Sequence, residues 1–81
     1  MSLATLKGND AEIIEFFASE KCAILNTQVM DLRLPKGVLL GAITRGQELF
    51  IPTGHSQIKV GDKVVVIAGP VAKRRMEELF A

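Results

Sequence analysis

Two continuous apolar runs, VLLGAIT at residues 38–44 and KVVVIAG at 63–69, constrain this chain more than any other feature. Turn residues bound both, Pro35 and Gly37 before the first and Gly61-Asp62 before the second. Runs of this kind read as strands buried on both faces. Strands buried on both faces need cover on two sides, and only 81 residues are available to supply it. A domain of this size buries only roughly 60% of the surface its unfolded chain exposes. One face of the sheet is expected to take a C-terminal helix, and a second copy of the chain is the simplest cover for the other.

The remaining elements follow from shorter patterns. AEIIEFFA, residues 11–18, fits a strand by its β-branched and aromatic content, although Ala11, Ile14 and Ala18 would also share a helical face; it is read here as a strand. Asn26 or Thr27 is placed to cap a single helical turn carrying Val29, Met30 and Leu32, closed by Pro35 and Gly37. ELFI, 48–51, follows VLLGAIT after Arg45-Gly46-Gln47, a hairpin signal. Pro52 ends that strand, Thr53 to Ser56 form a loop, and Gln57 to Val60 offer a brief further strand. Gly69-Pro70 stops the 63–69 strand, and VAKRRMEELF, 71–80, sets Ala72, Met76, Leu79 and Phe80 on one face at helical spacing. The fold class is therefore α+β: a small mixed, mostly antiparallel sheet, a short helix after the first strand, a C-terminal helix, and dimerisation. Residues 1–10 read as an N-terminal remnant and linker, with Lys7-Gly8-Asn9-Asp10 the polar connection, and 11–81 as the folded domain, a piece of a longer chain.

Composition excludes several functions. Ten basic and nine acidic residues give a formal charge of +1, too little to recruit nucleic acid or an anionic membrane through a global field. The apolar runs fall far short of the ~20 residues that span a bilayer, so no direct membrane insertion is expected. Cys22 is the only cysteine, which rules out a disulfide within the chain and weakens any thiolate metal site.

The candidate chemistry is thin. GAITRGQE, 41–48, has two glycines at a spacing near that of a phosphate loop, but Gln47 and Glu48 stand where a lysine and a hydroxyl are needed, and a strand follows instead of a helix. It reads as a strand end and a hairpin turn. His55 is the only histidine and sits in a loop, so it is a solvated side chain or a ligand contact sooner than a catalytic base. Cys22 lies among Ala23, Ile24 and Leu25 and reads as a buried structural thiol. Asp62 reads as a turn residue whose carboxylate accepts backbone donors at the strand entry. Lys73, Arg74 and Arg75 precede Glu77 and Glu78 in the last helix, and Lys73–Glu77 and Arg74–Glu78 pairs are expected on a solvated face. No catalytic residue and no metal ligand set is assigned, and an enzyme is disfavoured.

Read together, Leu34-Pro35-Lys36-Gly37 before a strand, Ala42-Ile43-Thr44-Arg45-Gly46, Ile51-Pro52, and Gly61-Asp62-Lys63 before a hydrophobic strand resemble the TrkA-C domain, also called the C-terminal half of the RCK regulatory module. AEIIEF and NTQVMDL resemble that family's opening strand and short helix, so the similarity spans about residues 11–80.

The resemblance implies a cytoplasmic regulatory domain, peripheral to the inner face of the membrane, that follows a nucleotide-binding RCK-N-type domain and acts on a membrane subunit of a potassium transport system of Trk/Ktr type. It also implies a homodimer that binds a small ligand at its interface, in some members cyclic di-AMP, with no other cofactor in the domain. The ligand positions carried over are Val29, Met30, Arg33 and Leu34 with Pro52 and His55 from the later loop. Arg33 and Arg45 would pair with phosphates while the apolar side chains cover a base. The rival readings are a purely structural assembly domain, and the same module regulating another transporter or a transcription factor.

Overall fold

A computed structural model of the chain describes residues 1–8 and 10–81. The elements are β1 (Ser2–Thr5), β2 (Glu12–Phe17), a 3-10 turn (Val29–Asp31), β3 (Val38–Arg45), β4 (Glu48–Phe50), β5 (Lys63–Ala68) and α1 (Pro70–Phe80). The strands form one sheet in the order β1-β2-β5-β3-β4, and every ladder is antiparallel. Among the described residues the one parallel contact is an isolated bridge, Leu25 to Ile58, beside an antiparallel bridge from Gln28 to Gln57. Those two bridges are all that forms of the brief strand expected at 57–60.

Strand β5 occupies the centre because VVVIA carries apolar side chains to both faces. Val64, Val66 and Ala68 point into the core and are fully buried, whereas Val65 and Ile67 lie on the other face and are only partly covered. Neighbouring β2 contributes Ile14 and Phe16 to the same core face, and β3 contributes Ile43. A register shift between Leu40 and Ala42 marks a bulge at Gly41 in β3, and this keeps Ile43 opposite Val64. Expected burial on both faces is thus met on one face within a single copy: Leu39 of β3 stays 60% exposed, and Phe17 and Leu49 on the same outer face are exposed too.

The core face is covered by α1 and by the long connection between β2 and β3. Ala72, Met76 and Phe80 are buried from the helix, and Cys22, Ile24 and Ile58 complete the cluster. Pro70 starts the helix, its fixed φ and missing N–H costing nothing there, after Gly69 as an uncapped N-cap. The Phe80 ring stacks on Phe16 with centroids 4.8 Å apart and planes 13° from parallel. The Ala23 N–H donates to the Leu79 carbonyl at 2.9 Å, tying the helix end to the connection.

Three expectations are corrected. Regular structure begins at Ser2, not near Ala11: SLAT adds an edge strand held on β2 by backbone pairing and by the N-terminal ammonium donating to the Glu15 carbonyl at 2.7 Å. The polar linker expected at residues 7–10 includes Asn9, which lies outside the described residues. Where a capped helical turn was expected, the chain makes a three-residue 3-10 turn with Gln28 before it and no side-chain cap; Asn26 instead takes a left-handed conformation at φ 60°. The helix charges also pair differently. Lys73 reaches Glu12 on β2 at 3.2 Å and Arg75 pairs with Glu78 at 2.9 Å, so the charge on Lys73 clamps α1 to the sheet.

Candidate functional site

The positions singled out for ligand contact lie on the 3-10 turn, the segment after it, and the loop after β4. Backbone bonds join the turn to the loop: the Val29 N–H donates to the Ser56 carbonyl at 2.8 Å, and the Met30 N–H to the Gly54 carbonyl at 2.9 Å. The approach is close enough that a Cβ at Gly54 would meet Met30 Cβ at 3.3 Å, so glycine suits this position. The loop is further shaped from within. The Thr53 N–H donates to Ser56 Oγ at 2.9 Å and the His55 N–H to Thr53 Oγ1 at 3.3 Å, which leaves the His55 ring exposed.

Val29 and Pro52 are half-buried, and Met30 is 54% exposed. Arg33 is exposed and, among the described residues, makes no hydrogen bond or ion pair. Leu34 is half-buried and packs against the core. The backbone bonds thus bring the exposed Met30 thioether beside the loop that carries the exposed His55 imidazole, and the free Arg33 guanidinium follows two residues after the turn. Among the described residues this is an open surface, with no pocket enclosed by one copy of the chain.

Arg45 is placed differently. Its Nε donates to Asp62 Oδ1 at 2.9 Å, and its Nη2 to Asp62 Oδ2 at 2.8 Å and to the Gln57 carbonyl at 2.9 Å. The guanidinium also lies 5.1 Å from the centroid of the Phe50 ring. Asp62 is wholly buried and additionally accepts the Lys59 N–H at 2.9 Å. The expected turn role of Asp62 is therefore present, and the fork-to-fork ion pair is an addition the sequence reading missed. The register explains the pair: Thr44 faces Lys63 in the β3–β5 ladder, so the next residues along, Arg45 and Asp62, meet just past its end. Gly61, at φ 91°, makes the tight approach that turns Asp62 inward. A second polar contact missed in the sequence is Lys59, whose Nζ donates to Asn26 Oδ1 at 3.1 Å and Gln57 Oε1 at 2.8 Å, linking the segment before the turn to the residue after the loop.

The Arg45 hydrogen bonds hold the Asp62 carboxyl below its ordinary range, against the opposing effect of burial and with help from the Lys59 N–H. A depressed carboxyl pKa stabilises the fold at every pH above the unfolded value, about 3.9 for Asp, and that contribution is lost as pH falls through the folded value. Melting curves of the wild type and Asp62→Asn from pH 7 downward are expected to show a large deficit in the variant that is constant to about pH 5 and shrinks below about pH 4. A deficit that grew on acidification would contradict the assignment.

Among the described residues no group of His, Cys, Asp and Glu side chains is arranged to hold a metal ion, and no helix is long and apolar enough to cross a membrane. Cys22 is buried, as expected from its apolar neighbours.

Comparison with known proteins shows the family and the fold. The sequence profile of the TrkA-C domain matches residues 13–81. The chain is 38% identical over 79 residues to the Trk system potassium uptake protein TrkA homolog 1 of Methanosarcina mazei, covering 98% of this chain and 18% of that protein. It is 34% identical over 68 residues to the Trk system potassium uptake protein TrkA of Haemophilus influenzae, covering 80% of this chain and 15% of that one. The chain thus spans less than a fifth of the length of these curated relatives. Among solved structures, the RCK C domain of the potassium transport protein KtrA in complex with cyclic di-AMP superposes with a TM-score of 0.70 at 29% identity, over 85% of this chain and 82% of that one. A structure described as an RCK domain with cda superposes with a TM-score of 0.73 at 18% identity, over 85% of this chain and 97% of that one, a likeness of fold.

Proposed function

The chain belongs to the TrkA-C domain family, and from that premise we propose that it is a ligand-sensing, homodimeric regulatory domain that gates the membrane subunit of a potassium transport system of Trk/Ktr type. The observation that carries the ligand reading is the joining of the 3-10 turn to the 52–56 loop by the Val29–Ser56 and Met30–Gly54 backbone bonds, which sets the exposed Met30 beside the loop that carries Pro52 and His55, with exposed Arg33 two residues after the turn. Support for a nucleotide ligand comes from the KtrA domain of the same fold, solved with cyclic di-AMP. Arg33 supplies a guanidinium for a phosphate, and Met30 with Pro52 supplies apolar cover for a base. Arg45 serves as a positioning residue, since its Nη2 holds the Gln57 carbonyl beside the loop while the rest of its fork is committed to Asp62.

Dimerisation is supported by the outer sheet face, where Phe17, Leu39 and Leu49 stay in water in a single copy. A ligand bound across two copies would favour one relative orientation through its differential affinity for the two dimer states. The proposed partners are an upstream nucleotide-binding domain of RCK-N type, which would carry the change onward, and the potassium transporter subunit, reached from the cytoplasmic side. Catalysis has no part in this reading.

Titration calorimetry with cyclic di-AMP and with ATP tests it. Saturable binding of a cyclic dinucleotide is expected at one ligand per two chains. Arg33→Ala is expected to weaken it roughly 10–100-fold, the effect of one charge-assisted hydrogen bond to phosphate. Neither heat nor a thermal shift with any cyclic dinucleotide would leave the structural assembly reading in its place.

A further inference from the structure

The two segments that carry the candidate site run side by side from Asn26 to Met30. The Asn26 N–H donates to the Ile58 carbonyl at 2.9 Å, Gln28 bridges Gln57, and the Val29 and Met30 bonds to Ser56 and Gly54 continue the row. One end of this row is anchored, since Ile58 is fully buried, and the other is exposed where Met30 meets Gly54. The row starts at a residue in an unfavourable conformation. Asn26 has φ 60°, a left-handed backbone that L side chains rarely adopt and that asparagine tolerates when its short amide finds a nearby polar partner.

Lys59 stands at the anchored end and supplies that partner. Its N–H donates to Asp62 Oδ2 at 2.9 Å and its carbonyl accepts the Asp62 N–H at 3.0 Å, so its backbone is fixed on the buried carboxylate that also takes the Arg45 fork. From this base its Nζ donates to Gln57 Oε1 at 2.8 Å and to Asn26 Oδ1 at 3.1 Å, one acceptor on each of the paired segments. Gln57 is thereby held twice, its carbonyl by Arg45 Nη2 at 2.9 Å and its side chain by Lys59. Arg45, Asp62, Lys59 and Gln57 close a ring of hydrogen bonds, to which Asn26 is joined through the Lys59 ammonium. Among the described residues no other side chain hydrogen-bonds to both segments, and Lys59 forms no ion pair that would draw its ammonium away.

Resting on the ligand reading above, we propose that Lys59 is a positioning residue of the candidate site: its ammonium holds Asn26 in the left-handed conformation beside Gln57, and so keeps the 3-10 turn seated on the 52–56 loop. Lys59 is exposed and takes no part in the core, so its role is separable from general stability. Losing the ammonium loosens the pairing of residues 26–30 with 54–58 and leaves the sheet as it was. A ligand surface tolerates such loosening less than the fold does, because contact groups must be held to within a fraction of an ångström by the shell that supports them.

Amide hydrogen exchange of the 81-residue chain, followed residue by residue by NMR, tests the assignment with three variants. Lys59→Met keeps the apolar stem and removes the donors, Lys59→Arg keeps the charge and its donors, and Lys21→Met removes the charge of an exposed lysine outside both segments. In Lys59→Met the Asn26, Val29 and Met30 amides are expected to exchange roughly 10-fold faster, the effect of one charge-assisted hydrogen bond, while Val64 and Val66 in β5 stay within about twofold. Lys59→Arg is expected to recover most of the protection, and Lys21→Met to match the wild type. Unchanged exchange at Asn26, Val29 and Met30 in Lys59→Met would overturn the assignment, and so would equal acceleration in β5, the mark of a general loss of stability. In titrations with cyclic di-AMP, Lys59→Met is expected to bind roughly 10-fold more weakly than the wild type, with Lys59→Arg in between. An affinity that stays put while exchange at residues 26–30 speeds up would overturn the positioning role. A wild type that binds no cyclic di-AMP would instead overturn the ligand reading, and exchange at residues 26–30 would still decide whether Lys59 holds the turn.

Discussion

Replacing Asp62 with alanine is expected to destabilise the domain by about 2–4 kcal/mol, with a fall in melting temperature of roughly 10–25 °C for a chain of this size. The carboxylate is wholly buried and satisfies the Arg45 Nε and Nη2 donors and the Lys59 N–H, so its removal orphans several donors at once. The loss falls short of the full penalty for breaking a buried pair because the Arg45 side chain is 40% exposed and can recover water. Arg45→Met is expected to cost a comparable amount, for it leaves a buried carboxylate with one backbone donor. The double variant Arg45→Met, Asp62→Leu should lose clearly less than the sum of the two, since the charges are removed together. Chemical denaturation of the four proteins checks this, and strict additivity would show that the pair does not act as a unit.

Truncating Phe80 to alanine is expected to cost about 3 kcal/mol and to loosen the C-terminal helix. Phe80 is buried near the end of α1, and its ring stacks on Phe16 at 4.8 Å. The aromatic pair adds roughly 0.5–1.5 kcal/mol beyond its area burial. The helix is otherwise anchored by Met76, by the Lys73–Glu12 contact and by the Ala23–Leu79 hydrogen bond. Phe80→Leu should recover more than half the loss, because it refills the volume without the ring. Amide hydrogen exchange is expected to show faster exchange along residues 74–80 in Phe80→Ala than in the β5 strand. Uniform acceleration across both would mean that the helix and sheet open only together.

The parts of the fold that could be read from the sequence are those with a local cause. β5 announces itself through VVVIA between Gly61 and Gly69, the hairpin through Gly46 between two β-rich runs, and α1 through Ala72, Met76, Leu79 and Phe80 at helical spacing. β1 could not be read in the same way. SLAT has no alternation and buries nothing, and its place at the edge is fixed by backbone pairing with β2, which leaves no mark on side-chain type. The Arg45–Asp62 pair was hidden for a related reason. Each residue has an adequate local explanation, strand end and turn, and only the β3–β5 register brings the two together across 17 positions. The same non-locality redirected Lys73 from Glu77 to Glu12: at i to i+4 spacing with the base first, the helical pair is weak, and a carboxylate on β2 offered better geometry.

At the candidate site the structure joins segments that lie far apart in the sequence. Val29, Met30, Pro52 and His55 lie on segments that backbone bonds join, because the 3-10 turn and the 52–56 loop satisfy each other's polar groups. Leu34 packs against the core. Arg33 was the phosphate partner read first in the sequence and Arg45 a second candidate, open between solvent and ligand; in the structure Arg45 is spent on Asp62 and Gln57, and Arg33 remains exposed.

Small-angle X-ray scattering of the 81-residue chain, with and without saturating cyclic di-AMP, tests the ligand-sensing role most directly. A sensing dimer predicts a dimeric particle in both conditions whose pair-distance distribution changes when the ligand is added. A dimer whose scattering curve is unchanged at a ligand concentration that calorimetry shows to be saturating would contradict a sensing role for this domain.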